Sequence, residues 1–137
     1  MPESVSFDFN IPTHIVFRTG AVNELNDLDE VRGRRCMFFS YAGFSRTDIV
    51  EKLKASASEL LVVDEFEENP SDALARRLVR RAREFGAETM VAIGGGSSID
   101  LAKAVAWFDA NPAYTPESTA TMNPASIAVV AVPTTAG

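Results

Sequence analysis

Between Met90 and Lys103 the chain reads MVAIGGGSSIDLAK: a short apolar run, three consecutive glycines, two serines, and then apolar residues at helical spacing. Glycine lacks Cβ, so Gly94, Gly95 and Gly96 let the backbone turn sharply and approach a ligand closely. The helix expected to follow begins with unpaired N–H groups at the positive end of its dipole. A strand, a glycine turn and a helix start together form a cradle for phosphate or diphosphate, and Ser97 adds a hydroxyl at its rim. Two better-known phosphate loops do not fit. A P-loop requires Gly-Lys-Ser/Thr at the helix start, and the usual dinucleotide fingerprint requires glycine where Ile99 stands. The plain alternative is a tight turn that holds no ligand. Asp100 falls one turn into the helix, either as a ligand contact or simply as a carboxylate favoured by the dipole. Lys103, three residues on, is expected to pair with it along the helix.

The elements that must carry this loop follow from the hydrophobic pattern. Val5, Phe7 and Phe9 alternate with polar residues, and His14–Phe17 follows Pro12-Thr13, which predicts an N-terminal antiparallel strand pair. Ala21–Leu28 can form a short helix after Gly20. Cys36–Phe39, Leu60–Val63, Met90–Ile93 and Ile127–Val132 are short continuous apolar runs, the pattern of strands covered on both faces. Between them, Asp48–Ala57 is helical in spacing, and so is the stretch carrying Leu74, Leu78, Ala82 and Phe85. Ser71 is placed as the N-cap of that second helix and Gly86 as its C-cap glycine. Ile99, Ala102, Val105 and Ala106 form the inner face of the helix after the glycine loop. Asn111–Pro124, rich in Pro, Thr and Ser, is expected to be a surface loop. Strands alternating with helices from about residue 34 imply βαβ units and a parallel sheet, hence an α/β fold.

The bulk properties narrow the partners. The 137 residues amount to one domain, with 46% hydrophobic and 23% charged residues. A net charge of −6 argues against nucleic acid or an anionic membrane as partner. No apolar stretch reaches the ~18 residues of a membrane helix, and the acidic, mixed N-terminus is no signal peptide. The one cysteine, Cys36, sits in an apolar run and reads as a buried small side chain, which suits a cytoplasmic protein. The single histidine, His14, reads as a strand surface residue. Arg76, Arg77, Arg80, Arg81 and Arg83 read as a solvated basic helix face, and Trp107 with Phe108 as packing residues.

The segment GGGSSIDLAKA at 94–104 resembles the GGGSxxDxAKA motif of the iron-dependent alcohol dehydrogenases. Other pieces resemble the same family in the same order. They are Phe7–Asn10 with Pro12–Phe17, Gly20-Ala21 with Leu25, Asn69-Pro70-Ser71, and the closing Val132-Pro133-Thr134-Thr135-Ala136-Gly137. The likeness covers essentially the whole chain. It implies that residues 1–137 form a Rossmann-like NAD(P)-binding N-terminal domain. The helical C-terminal domain that holds a divalent metal, iron or zinc, through one aspartate and three histidines is absent from this sequence. On this basis the chain is expected to bind cofactor at best and not to turn over substrate alone. In the full enzyme a small alcohol or aldehyde would exchange hydride with the nicotinamide.

The resemblance also implies residue roles. Gly95, Gly96 and Ser97 would hold the pyrophosphate, and Asp100 would lie towards the nicotinamide. Asn69 would touch the cofactor from a strand end, and Thr134, Thr135 and Gly137 would line its other side. The family's NAD-preferring members often carry an aspartate after the strand at 36–40. Tyr41 stands there instead, with Ser40, Ser45 and Arg46 nearby, which removes a barrier to a 2′-phosphate and favours NADP over NAD. No catalytic residue and no metal ligand is assigned within the chain. A homodimer is expected by family likeness. Alternatives are the corresponding domain of a metal-free relative such as maleylacetate reductase, or a non-catalytic nucleotide-binding module.

Overall fold

The apolar run Cys36–Phe39 is buried on both faces, which is possible only for a strand inside a sheet with helices above and below. In the computed structural model, which describes residues 8, 10–44 and 47–135, that strand is β1 (Arg35–Phe39). It is followed by α1 (Asp48–Ser56), β2 (Glu59–Val63), α2 (Asp72–Phe85), β3 (Thr89–Gly94), α3 (Gly96–Ala110) and β4 (Ala128–Pro133). A short 3-10 helix, Ala21–Asp27, precedes them, entered through Gly20 in the left-handed region. The four strands run parallel in the order β2-β1-β3-β4.

Successive side chains of a strand point to opposite faces, and the core divides accordingly. Met37, Phe39, Met90 and Ala92 pack under α2 and α3, against Leu78, Val79, Ala82, Leu101 and Val105. Cys36, Phe38, Val91 and Ile93 face the other way, against α1 and the 3-10 helix through Val50, Leu53 and Leu25. Burial pushes the Cys36 thiol up to about 11, with the Glu88 carboxylate adding to the effect, so it stays protonated at neutral pH.

The ends of α2 follow their expected chemistry. Ser71 Oγ accepts from the Leu74 amide at 3.2 Å, and Gly86 closes the helix with φ of 72°. Ser71→Ala should therefore lower the unfolding free energy by about 1 kcal/mol in urea titration. An unchanged midpoint would show that the cap contributes nothing.

Two expectations need correction. His14–Phe17 forms no strand: residues 10–17 carry no sheet pairing, and Ile15, Val16 and Phe17 are exposed. Extended backbone becomes a strand only when a partner takes its hydrogen bonds, and among the described residues none does. The alternating residues Val5, Phe7 and Phe9 lie outside the described residues. The second correction concerns the basic face of α2, which is only partly solvated. Arg76 lies 4.2 Å over the Phe108 ring and donates to the carbonyls of Pro112 and Tyr114 at 3.2 and 2.6 Å. Arg83 donates to the Asp109 carboxylate at 2.6 Å. Both arginines bind α2 to the end of α3. The 111–124 stretch is a surface loop, as expected, and it is anchored. Buried Asn111 exchanges hydrogen bonds with the Asn123 backbone at 2.9 and 2.8 Å, and Trp107 packs edge-on to Tyr114.

Candidate functional site

The strand order creates one particular crevice. β1 leads through α1 to β2 on one side, whereas the α2 connection crosses back over the sheet to β3 on β1's other side. The helices leaving β1 and β3 therefore lie on opposite faces, and the connections that follow the carboxyl ends of these two strands diverge. In open parallel sheets the crevice at such a point is where ligands bind. The segments emerging there are Ser40–Tyr41 after β1 and the glycine loop after β3.

The loop is shaped by specific contacts. Gly94 has φ of 154°, a conformation open in practice only to glycine, and a Cβ built there would lie 2.6 Å from Ser98 Oγ. Gly95 is the N-cap position of α3, and the helix begins at Gly96. A Cβ on Gly95 would come to 3.9 Å from the Thr135 side chain, and one on Gly96 to 3.9 Å from Asp100 Oδ2, ordinary van der Waals contacts that leave room for a side chain at both. The Thr134 amide donates to the Gly94 carbonyl at 3.0 Å, which carries the β3–β4 pairing past the strand end. Exposed Thr134 and Thr135 thus flank the glycine turn.

On the opposite flank the Asn69 amide donates to Ser97 Oγ at 3.2 Å. Asn69 has φ of 50°, a left-handed conformation that Asn tolerates better than most residues. This bond draws the N-termini of α2 and α3 together and leaves a groove lined by Asn69, Ser71, Asp72, Ser97, Asp100 and Leu101. Ser71 and Asp72 read in the sequence as capping residues, and only the α2–α3 packing reveals that they also line this groove.

The expected site residues thus divide. Gly95, Gly96, Ser97, Asn69, Asp100, Thr134 and Thr135 gather around the end of β3. Tyr41 sits past the end of β1 as an exposed ring, edge-on to Phe44 and close against Gly43. Gly137, Ser45 and Arg46 lie outside the described residues. The ion pair expected between Asp100 and Lys103 does not form: both side chains stay exposed, with no bond between them among the described residues. Ser40 is not an open phosphate contact. It is fully buried, and its hydroxyl donates to the Ile93 carbonyl at 2.7 Å. Residue type alone could not separate these roles for Ser40, because a serine at a strand end suits either.

A broader depression lined by Asn26, Asp27, Arg32, Lys52 and Ser56 lies on the opposite edge, where the strands begin. It has neither a glycine turn nor a helix N-terminus. Among the described residues no group of three or more His, Cys, Asp or Glu could hold a metal ion, so no metal centre is built from them. Nor is any helix among them long and apolar enough to cross a membrane.

A parallel sheet with a glycine turn at its switch point, leading into a long helix, defines the class of Rossmann-like nucleotide-binding domains. The family model for iron-containing alcohol dehydrogenase matches residues 12–137, and the chain belongs to that family. It is 34% identical over 97 residues to a 4-hydroxybutyrate dehydrogenase of Cupriavidus necator, a match covering 69% of this chain and 25% of that protein. It is 31% identical over 116 residues to NADH-dependent butanol dehydrogenase B of Clostridium acetobutylicum, covering 79% and 30%. An iron-containing alcohol dehydrogenase from Thermotoga maritima superposes with a TM-score of 0.72 at 28% identity, over 96% of this chain and 39% of that one. A sulfoacetaldehyde reductase from Bifidobacterium kashiwanohense, solved in complex with NAD+, shares the fold with a TM-score of 0.75 at 22% identity, covering 98% and 37%. The chain thus spans about a quarter to a third of the length of the first of these relatives.

Proposed function

We propose that this chain is the NAD(P)-binding domain of an alcohol or aldehyde oxidoreductase and holds a nicotinamide dinucleotide across the β1/β3 crevice. The observation that carries the proposal is the glycine turn at the switch point. Its first residue is closed to any side chain, whereas a side chain at either of the next two would make only ordinary van der Waals contacts. The amides at the start of α3 and the Ser97 hydroxyl would take the pyrophosphate, as helix N-termini take anions. Asn69 and Asp100 would face the nicotinamide half, Thr134, Thr135 and Gly137 the opposite flank, and Tyr41 the adenosine half. The nicotinamide, when bound, supplies the hydride acceptor or donor for an alcohol or aldehyde. The protein groups named here bind and orient it. No step is assigned to a metal, because the described residues do not fit one.

Separate calorimetric titrations with NADH and NADPH test the proposal. Saturable 1:1 binding is expected, tighter for NADPH because no carboxylate stands at Tyr41 to repel a 2′-phosphate. Binding of neither dinucleotide would overturn the assignment, and tighter binding of NADH would overturn the role given to Tyr41.

The family assignment also favours a homodimer, for which Ile15, Val16 and Phe17 present exposed apolar surface. The single cysteine favours a cytoplasmic role, and the net charge of −6 argues against nucleic acid or an anionic membrane as partner. Sedimentation velocity giving only monomer at high concentration would refute the dimer.

A further inference from the structure

The regular pairing of β1 with β3 ends at Phe39↔Ala92. One residue further along β3 lies the Ile93 carbonyl, immediately before the glycine turn. A side chain, not another backbone amide, supplies its donor: Ser40 Oγ at 2.7 Å. Ser40 is fully buried, and its own amide donates to the Val63 carbonyl of β2 at 3.2 Å. The residue therefore bridges β2 and β3 from the end of β1. From the other side of β3 the Thr134 amide holds the next carbonyl, that of Gly94, at 3.0 Å. Two consecutive peptide groups are thus held from opposite flanks. The glycines that follow have no side chains of their own to restrict their backbone.

We propose that Ser40 is a positioning residue for dinucleotide binding: its hydroxyl orients the Ile93–Gly94 peptide so that the amides of the glycine turn point into the crevice. This rests on the dinucleotide assignment above, but it makes a prediction that needs no ligand. A buried serine serving packing alone would be replaced by alanine without effect on the turn. A hydroxyl that fixes the peptide would be missed there first, because an unserved carbonyl is free to rotate towards another donor.

The test compares Ser40→Ala and Ser40→Thr with the parent chain. Amide hydrogen exchange at Thr134, whose N–H holds the turn through the Gly94 carbonyl, is followed by NMR, NADH affinity by calorimetry, and folding by thermal unfolding. Ser40→Ala should speed exchange at Thr134 while leaving the amides of α2 unchanged. It should weaken NADH roughly tenfold, the scale of one hydrogen bond, and Ser40→Thr should restore both. Unchanged exchange at Thr134 in a folded Ser40→Ala chain would overturn the proposal. So would a folded Ser40→Thr chain that behaves like the alanine variant, since the hydroxyl would then not be the agent. If the parent chain fails to bind NADH, the dinucleotide assignment falls, and the exchange comparison alone decides the role of Ser40.

Discussion

Gly94→Ala is expected to lower the unfolding free energy by roughly 2–4 kcal/mol, the range of a strained backbone plus a buried clash. Two independent costs combine. The backbone at Gly94 has φ of 154°, where an L-residue with a side chain is strained. The new methyl would lie 2.6 Å from Ser98 Oγ and 3.1 Å from Ser98 Cβ. Ser98 is buried on the first turn of α3, and α3 packs through Leu101, Ala102 and Val105 against the sheet. Rotation of the Ser98 side chain can carry Oγ away, but the contact with Cβ still requires the helix or the turn to shift by a few tenths of an ångström. Urea unfolding measures the loss, and the double variant Gly94→Ala/Ser98→Gly separates its parts. Removing Ser98 should recover the steric share and leave the backbone strain. A change below about 0.5 kcal/mol, the range typical of an ordinary surface substitution, would show that the turn tolerates a side chain and that the loop's shape is not dictated by Gly94.

Gly96→Leu should behave in the opposite way. A Cβ at Gly96 meets only Asp100 Oδ2, at 3.9 Å, the residue is exposed, and it opens a helix where leucine is the better helix former. Stability should stay within roughly 1 kcal/mol of the parent chain. The leucine side chain would nevertheless project from the helix start, into the space a phosphate needs in order to reach the amides. NADH and NADPH affinity should fall by about 100-fold or more, equivalent to at least about 2.7 kcal/mol. Calorimetry on the folded variant checks this. Binding equal to that of the parent chain would mean that the phosphates do not sit at this turn. The contrast between neighbouring glycines is the informative result: one is needed by the fold, the other by the ligand.

That contrast was not legible in the run GGG itself. The strand–glycine–helix order was readable because its parts are local: the apolar run Met90–Ile93, the flexible glycines, and the 3.6-residue spacing of Ile99, Ala102 and Val105. The caps of α2 were equally local, since Ser71 acts on an amide three residues away and Gly86 on its own backbone angle. The apolar run Ile15–Phe17 shows only which residues could enter a sheet, and no strand forms there. Whether a partner strand arrives is a property of the whole chain. Arg76 and Arg83 depart from a solvated helix face for a related reason. A row of arginines looks the same in sequence whether it meets water or, as here, the end of a neighbouring helix.

By itself the sequence determined the alternation of strands and helices, the position of the glycine turn, the helix caps and the family to which the chain belongs. All of these depend on residues within a few positions of each other, or on ordered motifs. The tertiary structure decided the strand order β2-β1-β3-β4, and with it the crevice between β1 and β3. It also brought Asn69 to Ser97, Thr135 to Gly95, and the Ser40 hydroxyl to the Ile93 carbonyl. These contacts join residues far apart in the chain, and they exist only because apolar strands had to be covered on both faces. That requirement sends the α2 connection across the sheet and leaves the carboxyl ends of β1 and β3 open to a ligand.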